Sequence, residues 1–217
     1  MKLKRMIPGL LCASALAGNQ PVMAVDLNVV GRIQPRGACD LTLLNGGVVD
    51  LGVLSASQVE KSDTDMIGGN TYYIIGRIRD RISIRCQDAT RLALRALDNR
   101  SGTGTENDNP YTYGLGLSDG SKVGVYRLRV GEVLGDGQRI NSLQSWDSGG
   151  AWREKYGSSE FGGEATQVSW AEPGQGLPQA FRAIFADLEG GAMVSTDLDM
   201  KTAILIDGSA TLELVYL

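Results

Sequence analysis

The sequence predicts an all-β domain of the sandwich or barrel kind. Short alternating or β-branched runs recur along it, and 29 glycines lie between them as turn punctuation. No segment shows a long 3.6-residue apolar period, and aromatic residues are few.

Taken in order, the first run is 25–33, where Val25, Leu27, Val29, Gly31 and Ile33 alternate with Asp26, Asn28, Val30 and Arg32. After Cys39 and the turn Asn45-Gly46-Gly47 comes 48–54, and 55–61 fits a single helical turn. Strands are then predicted at 72–75, 82–86, 91–97, 113–117, 123–130, 167–171, 181–188 and 202–217. In the last of these, Ala210, Leu212, Leu214 and Tyr216 share one face, and Thr211, Glu213 and Val215 share the other. An apolar strand at a chain end is an unpaired edge that invites pairing with another chain.

Two long loops are expected, near 99–110 and at 134–176. The first has no apolar residue from Asn99 to Asn109. Its Glu106, Asn107, Asp108 and Asn109 carry oxygen ligands, but the spacing of a calcium loop is missing, so it reads as a plain polar loop. The second loop holds Trp146, Trp152 and Trp170. Aromatic rings on loops stack on sugars, which makes these three the candidate glycan contacts; the alternative is that they cover the core.

The N-terminal region sets the compartment. Lys2, Lys4 and Arg5 precede an apolar run, and Val22-Met23-Ala24 supplies the cleavage positions of a secretory signal peptide ending at residue 24. The run is too short for a transmembrane anchor, and Leu11 before Cys12 does not fit a lipid-attachment site. Cleavage would leave 25–217 as a single domain of 193 residues with 18 basic and 25 acidic side chains, a net charge of −7. No basic stripe interleaved with aromatics remains, so nucleic acid is not an expected partner. Cys39 and Cys86 survive cleavage. In an exported chain such a pair forms a disulfide, with two free reactive thiols as the alternative.

The chain has no histidine, which removes Ser-His-Asp and Cys-His catalysis and His-ligated zinc. A carboxylate-pair hydrolase survives that exclusion, but no acidic pair has a spacing that singles it out. No enzymatic activity, cofactor or metal is expected. An outer-membrane barrel would need aromatic girdles that this sequence lacks.

The strand entering Cys39 through Gly31-Arg32-Ile33, the Val49-Asp50-Leu51-Gly52 run, the second cysteine at Cys86 and a closing strand with penultimate Tyr216 resemble chaperone–usher pilus subunits. Leu97-Asp98-Asn99-Arg100, Tyr113-Gly114-Leu115-Gly116 and the terminal Gly208-Ser209-Ala210-Thr211-Leu212-Glu213-Leu214-Val215-Tyr216-Leu217 are similar to a family of fimbrial-like exported proteins. The resemblance implies a pilin-like, immunoglobulin-like sandwich that is incomplete, missing its last strand. A periplasmic chaperone would lend that strand, and a sister subunit would replace it at an outer-membrane usher. Ala210, Leu212, Leu214, Tyr216 and Leu217 would then meet the partner strand. Val25, Leu27, Val29, Gly31 and Ile33 would be the donated one. The destination implied is the periplasm and then a cell-surface fimbria, with adhesion to a surface glycan as the alternative role. Only 14 residues, from Val25 to Ala38, precede Cys39, and Ile204 stands where pilin C-terminal strands often carry glycine.

Overall fold

The computed structural model describes residues 38–106 and 109–217, which lie in a unit spanning Gln34–Leu217. The predicted signal peptide and the candidate donor run 25–33 fall outside the described residues. The strands are β1 (Cys39–Leu43), β2 (Thr64–Ile67), β3 (Asn70–Asp98), β4 (Tyr113–Gly114), β5 (Leu117–Ser118), β6 (Ser121–Lys122) and β7 (Gly124–Gly135). They continue with β8 (Gln138–Ser145), β9 (Arg153–Lys155), β10 (Ser159–Glu160), β11 (Gln167–Ala171), β12 (Ala180–Ser195) and β13 (Ala210–Tyr216). One short helix, α1 (Ala56–Val59), falls where the helical turn was predicted and starts on a Ser55–Gln58 capping box. The fold is all-β and sandwich-like.

The strand β3 organises it. Isoleucine, leucine and alanine at Ile78, Ile82, Ile84, Leu92, Leu94 and Ala96 are buried, while Arg77, Arg79, Arg81, Arg85 and Arg91 between them stay exposed. That period of two holds from Arg77 to Arg85; Gln87, Asp88 and Ala89 are all exposed, yet the strand runs on through them. Three strands were predicted here, at 72–75, 82–86 and 91–97; the structure joins them. The reason is tertiary: β12 pairs with β3 from Tyr72 to Arg91, absorbing local irregularity in two register shifts. From Leu92 onward β3 changes sheets, pairing with β13 on one edge and β11 on the other.

One sheet therefore runs β10-β7-β12-β3, with β1 and β2 on the free edge of β3 and β4 on β7; the other runs β13-β3-β11-β8-β9. The β7–β8 hairpin also bridges the two. Its Asp136-Gly137 turn has both residues at positive φ (48° and 83°), the geometry that suits the twist of a two-residue hairpin. Expecting a loop over 134–176 overlooked this Asp-Gly signal; the segment contributes β8, β9, β10 and β11. The run 48–54 is not a strand, and of 202–217 only Ala210–Tyr216 is. Between the sheets lies one core containing Ile82, Ile84, Leu94, Phe161 and Trp170, all nearly or fully inaccessible.

Candidate functional site

The core is open along one side. β13 pairs with β3 from Leu92 to Asp98, and its other edge has no strand partner among the described residues. Ala210, Leu212 and Leu214 pack against the core yet remain only partly buried, because no described strand closes over that edge. Among the described residues, the stretch of β3 between its pairings with β2 and β1 likewise has no strand on its outer edge.

Two irregular segments flank this opening. In 48–54 the apolar alternation fails to become a strand because the preceding turn carries the chain away. The Asp80 carboxylate accepts the Asn45 and Gly47 N–H groups at 2.9 and 3.3 Å, and Gly46 and Gly47 both sit at positive φ. On the other side, the connection from β12 to β13 sends Ile204 and Ile206 inward and leaves Leu205 exposed. Between them lies a groove of about 610 Å³ with Ile78, Leu128, Leu188 and Val194 on its floor. Its rim is apolar and wet: Val53 is 99% exposed, Leu205 67% and Val49 41%. An exposed apolar rim around an apolar groove marks a binding surface.

The frame around the groove is held by polar contacts. Arg100 clamps Asp207 through both carboxylate oxygens at 2.9 Å, and Asn99 donates to the Ser209 and Thr211 hydroxyl oxygens. Arg95 pairs with Glu213 at 2.8 Å on the outer face of β13, and the Tyr216 hydroxyl accepts the Cys39 N–H at 3.1 Å. The Tyr126 ring reaches the groove, and its hydroxyl is buried without a hydrogen-bond partner. Burial, reinforced by the negative charge of Asp98, raises the Tyr126 and Tyr113 phenols far above the usual value of 10.

Of the sequence-predicted site residues, Cys39 and Cys86 form a disulfide between directly opposed positions of β1 and β3. Ala210, Leu212 and Leu214 line one face of β13 as expected, with Tyr216 and Leu217 largely exposed beyond them. The tryptophans are not a cluster. Trp170 is 1% exposed, because β11 is buried on both faces between β3 and β8, so it cannot stack on a glycan. Trp146 lies at the surface, donating to the Tyr111 hydroxyl at 2.8 Å beneath the Lys155 ammonium, and Trp152 is half-buried. In the 99–110 loop, Glu106 accepts from Asn70 and from the Tyr72 hydroxyl, so protein donors already hold its carboxylate. Among the described residues no group of three or more Cys, Asp or Glu is placed to hold a metal, and no helix is long and apolar enough to cross a membrane. Sequence reasoning found the β13 side of the groove but missed the floor. Alternation in β7 and β12 says which residues face inward, not that the inner face is left uncovered.

A family model described as a protein of unknown function (DUF1120) matches residues 27–116, a stretch that includes both disulfide cysteines and all of β3. Neither a curated protein nor a solved structure matches the chain.

Proposed function

We propose that this chain is a structural or minor subunit of a chaperone–usher fimbria, exported and assembled by accepting an extended strand from another protein. The observation that carries the reading is the apolar groove beside the unpaired edge of β13. Strand addition at such an edge supplies main-chain hydrogen bonds, and alternate side chains of the incoming strand fill the pockets. The groove has both requirements: along β13 a backbone edge with no strand partner among the described residues, and an apolar floor wide enough for side chains. The disulfide fits an oxidising compartment. A periplasmic chaperone is the first donor in this reading, and a sister subunit is the second. The protein performs no catalysis in this role.

The test is secretion of the full chain into a periplasm without any pilus chaperone. Aggregation or degradation is expected, with rescue in vitro by a synthetic peptide spanning Val25–Ile33. That peptide should raise the unfolding midpoint and slow amide exchange along Ala210–Tyr216, and a version with Leu27→Asp and Val29→Asp should not. A stable, soluble monomer that ignores the peptide would sink the proposal.

A further inference from the structure

The outer face of the β3-β12-β7 sheet carries arginines that the groove does not use. Directly opposed residues project from the same face of a sheet. Arg77, Gly191 and Arg127 form one such row, and Arg79, Glu189 and Arg129 form the next. In the second row Glu189 is committed to Arg129 at 2.9 Å, and Glu160 of β10 stands opposite Arg129 on its other side. Arg81 pairs with Asp187 at 3.2 Å. Arg77, Arg79 and Arg127 meet no carboxylate among the described residues, and the Arg127 Nε is buried without an acceptor. Two guanidinium groups without a carboxylate partner among the described residues thus flank Gly191, with a third, that of Arg79, in the next row, in a chain whose net charge is −4.

The two neighbouring glycines of β12 separate packing from function. A Cβ on Gly190 would stand 2.0 Å from the Arg127 carbonyl oxygen, so close strand packing demands glycine there. A Cβ on Gly191 would meet nothing nearer than the Gly76 carbonyl oxygen at 3.7 Å, an ordinary contact, and its φ is not positive. A glycine inside a strand costs about 0.5–1 kcal/mol relative to alanine, and neither sterics nor backbone requires this one. Its missing side chain leaves an open floor. Arg77 and Arg127 form walls whose Cα atoms are two strand spacings apart, about 9.6 Å. Glycine of this kind marks a place where a ligand approaches the backbone.

We infer that this cleft binds the sulfate or carboxylate groups of an acidic polysaccharide. The basic groups are arginines, whose planar fork of donors matches the oxygens of such anions in bidentate fashion. Along β3 they repeat at every second residue, about 6.6 Å apart, which suits charges repeating along a polymer. Single-stranded nucleic acid would call for exposed aromatic platforms and a membrane surface for an exposed apolar face. Next to the cleft, Met193 and Val125 are buried and offer neither.

The experiment applies the full chain to immobilised heparin and to immobilised polygalacturonate, which separate sulfate from carboxylate recognition. Retention at physiological salt on at least one is expected. Arg77→Gln with Arg127→Gln should weaken it about tenfold and lower the slope of log affinity against log salt by about two, one per cation removed. Gly191→Glu, which places a carboxylate between the walls, should abolish it. Arg139→Gln, at an exposed arginine paired with Glu132 elsewhere on the surface, should leave it unchanged. Unfolding midpoints verify the fold of each variant, and the double glutamine variant carries the test if Gly191→Glu does not fold. No retention on either polymer, or equal retention by wild type and the double variant, overturns the inference. So does complete displacement by duplex DNA at equal charge concentration.

Discussion

Replacing both disulfide cysteines, Cys39→Ala with Cys86→Ala, tests how much of this fold rests on a constraint outside its core. The bond closes a loop with a sequence separation of 47 residues. In the chain-entropy model that loop corresponds to about 4 kcal/mol at 25 °C, acting mainly by restricting the unfolded chain. The native contribution of the removed atoms is small by comparison, because both cysteines are only partly buried at the edge of the core. β1 is the element at risk: it pairs with β3 along one edge only, and its five residues bury just part of Leu41 and Leu43. With a urea m-value of about 1–3 kcal/mol/M, the midpoint should fall by roughly 1.3–4 M, and the m-value should rise as the unfolded chain expands. Urea titration followed by the fluorescence of buried Trp170 reports both quantities. A midpoint change under about 0.5 M with an unchanged m-value would refute the reasoning, since it would mean that the crosslink restricts neither state.

The paired substitutions Gly190→Ala and Gly191→Ala should behave oppositely. The first forces a Cβ to 2.0 Å from a backbone oxygen and should cost several kcal/mol, about 3 or more, whereas the second should be neutral or stabilise by up to about 1 kcal/mol; chemical denaturation measures both. Tyr113 and Tyr126 have raised phenol values, so the folded state keeps protons that the unfolded state loses above pH 10. Their contribution is fully present below pH 10 and is lost as pH rises through the folded values, at up to about 2.7 kcal/mol per pH unit for the pair. Urea midpoints at rising alkaline pH should show that slope, and Tyr126→Phe should halve it with little loss of stability at neutral pH, because its hydroxyl has no partner to lose. Trp170→Ala should cost about 3–5 kcal/mol, and Trp146→Ala about 1 kcal/mol or less, by the same titration. Equal losses would mean that the burial of Trp170 has been misjudged.

Much of the architecture is legible in the chain itself. The run 167–171 becomes β11 with the predicted bounds, and Ile82, Ile84, Leu92 and Leu94 turn inward as their alternation requires. The cysteine pair and the face assignment along Ala210–Tyr216 need only local reasoning, because a period of two assigns sides whatever the strand pairs with. The candidate site was half legible for the same reason. Leu212 and Leu214 were visible as an apolar face, while the floor residues Leu128 and Leu188 looked like any other core positions. Trp170 falls in the predicted strand 167–171, but its burial depends on β3 and β8 flanking β11, and β8 exists only because the Asp136-Gly137 turn folds the chain back.

The limit shows most clearly in two runs with the same local pattern. Residues 48–54 and 210–216 both alternate apolar and polar side chains, and sequence alone assigns both to strands. Only 210–216 becomes one, because Leu92–Asp98 of β3 offers it a free edge in register, whereas Asp80 captures the backbone ahead of 48–54 and turns it aside. The same holds for the arginine cleft. Arg77 and Arg127 are 50 positions apart, and only the registers of β12 against β3 and β7 place them on either side of Gly191. Periodicity is a local property, so the chain by itself determines an all-β fold and which way its side chains face. Pairing and register are properties of the assembled sheets, so only the tertiary structure decides which edge stays open and which charges meet.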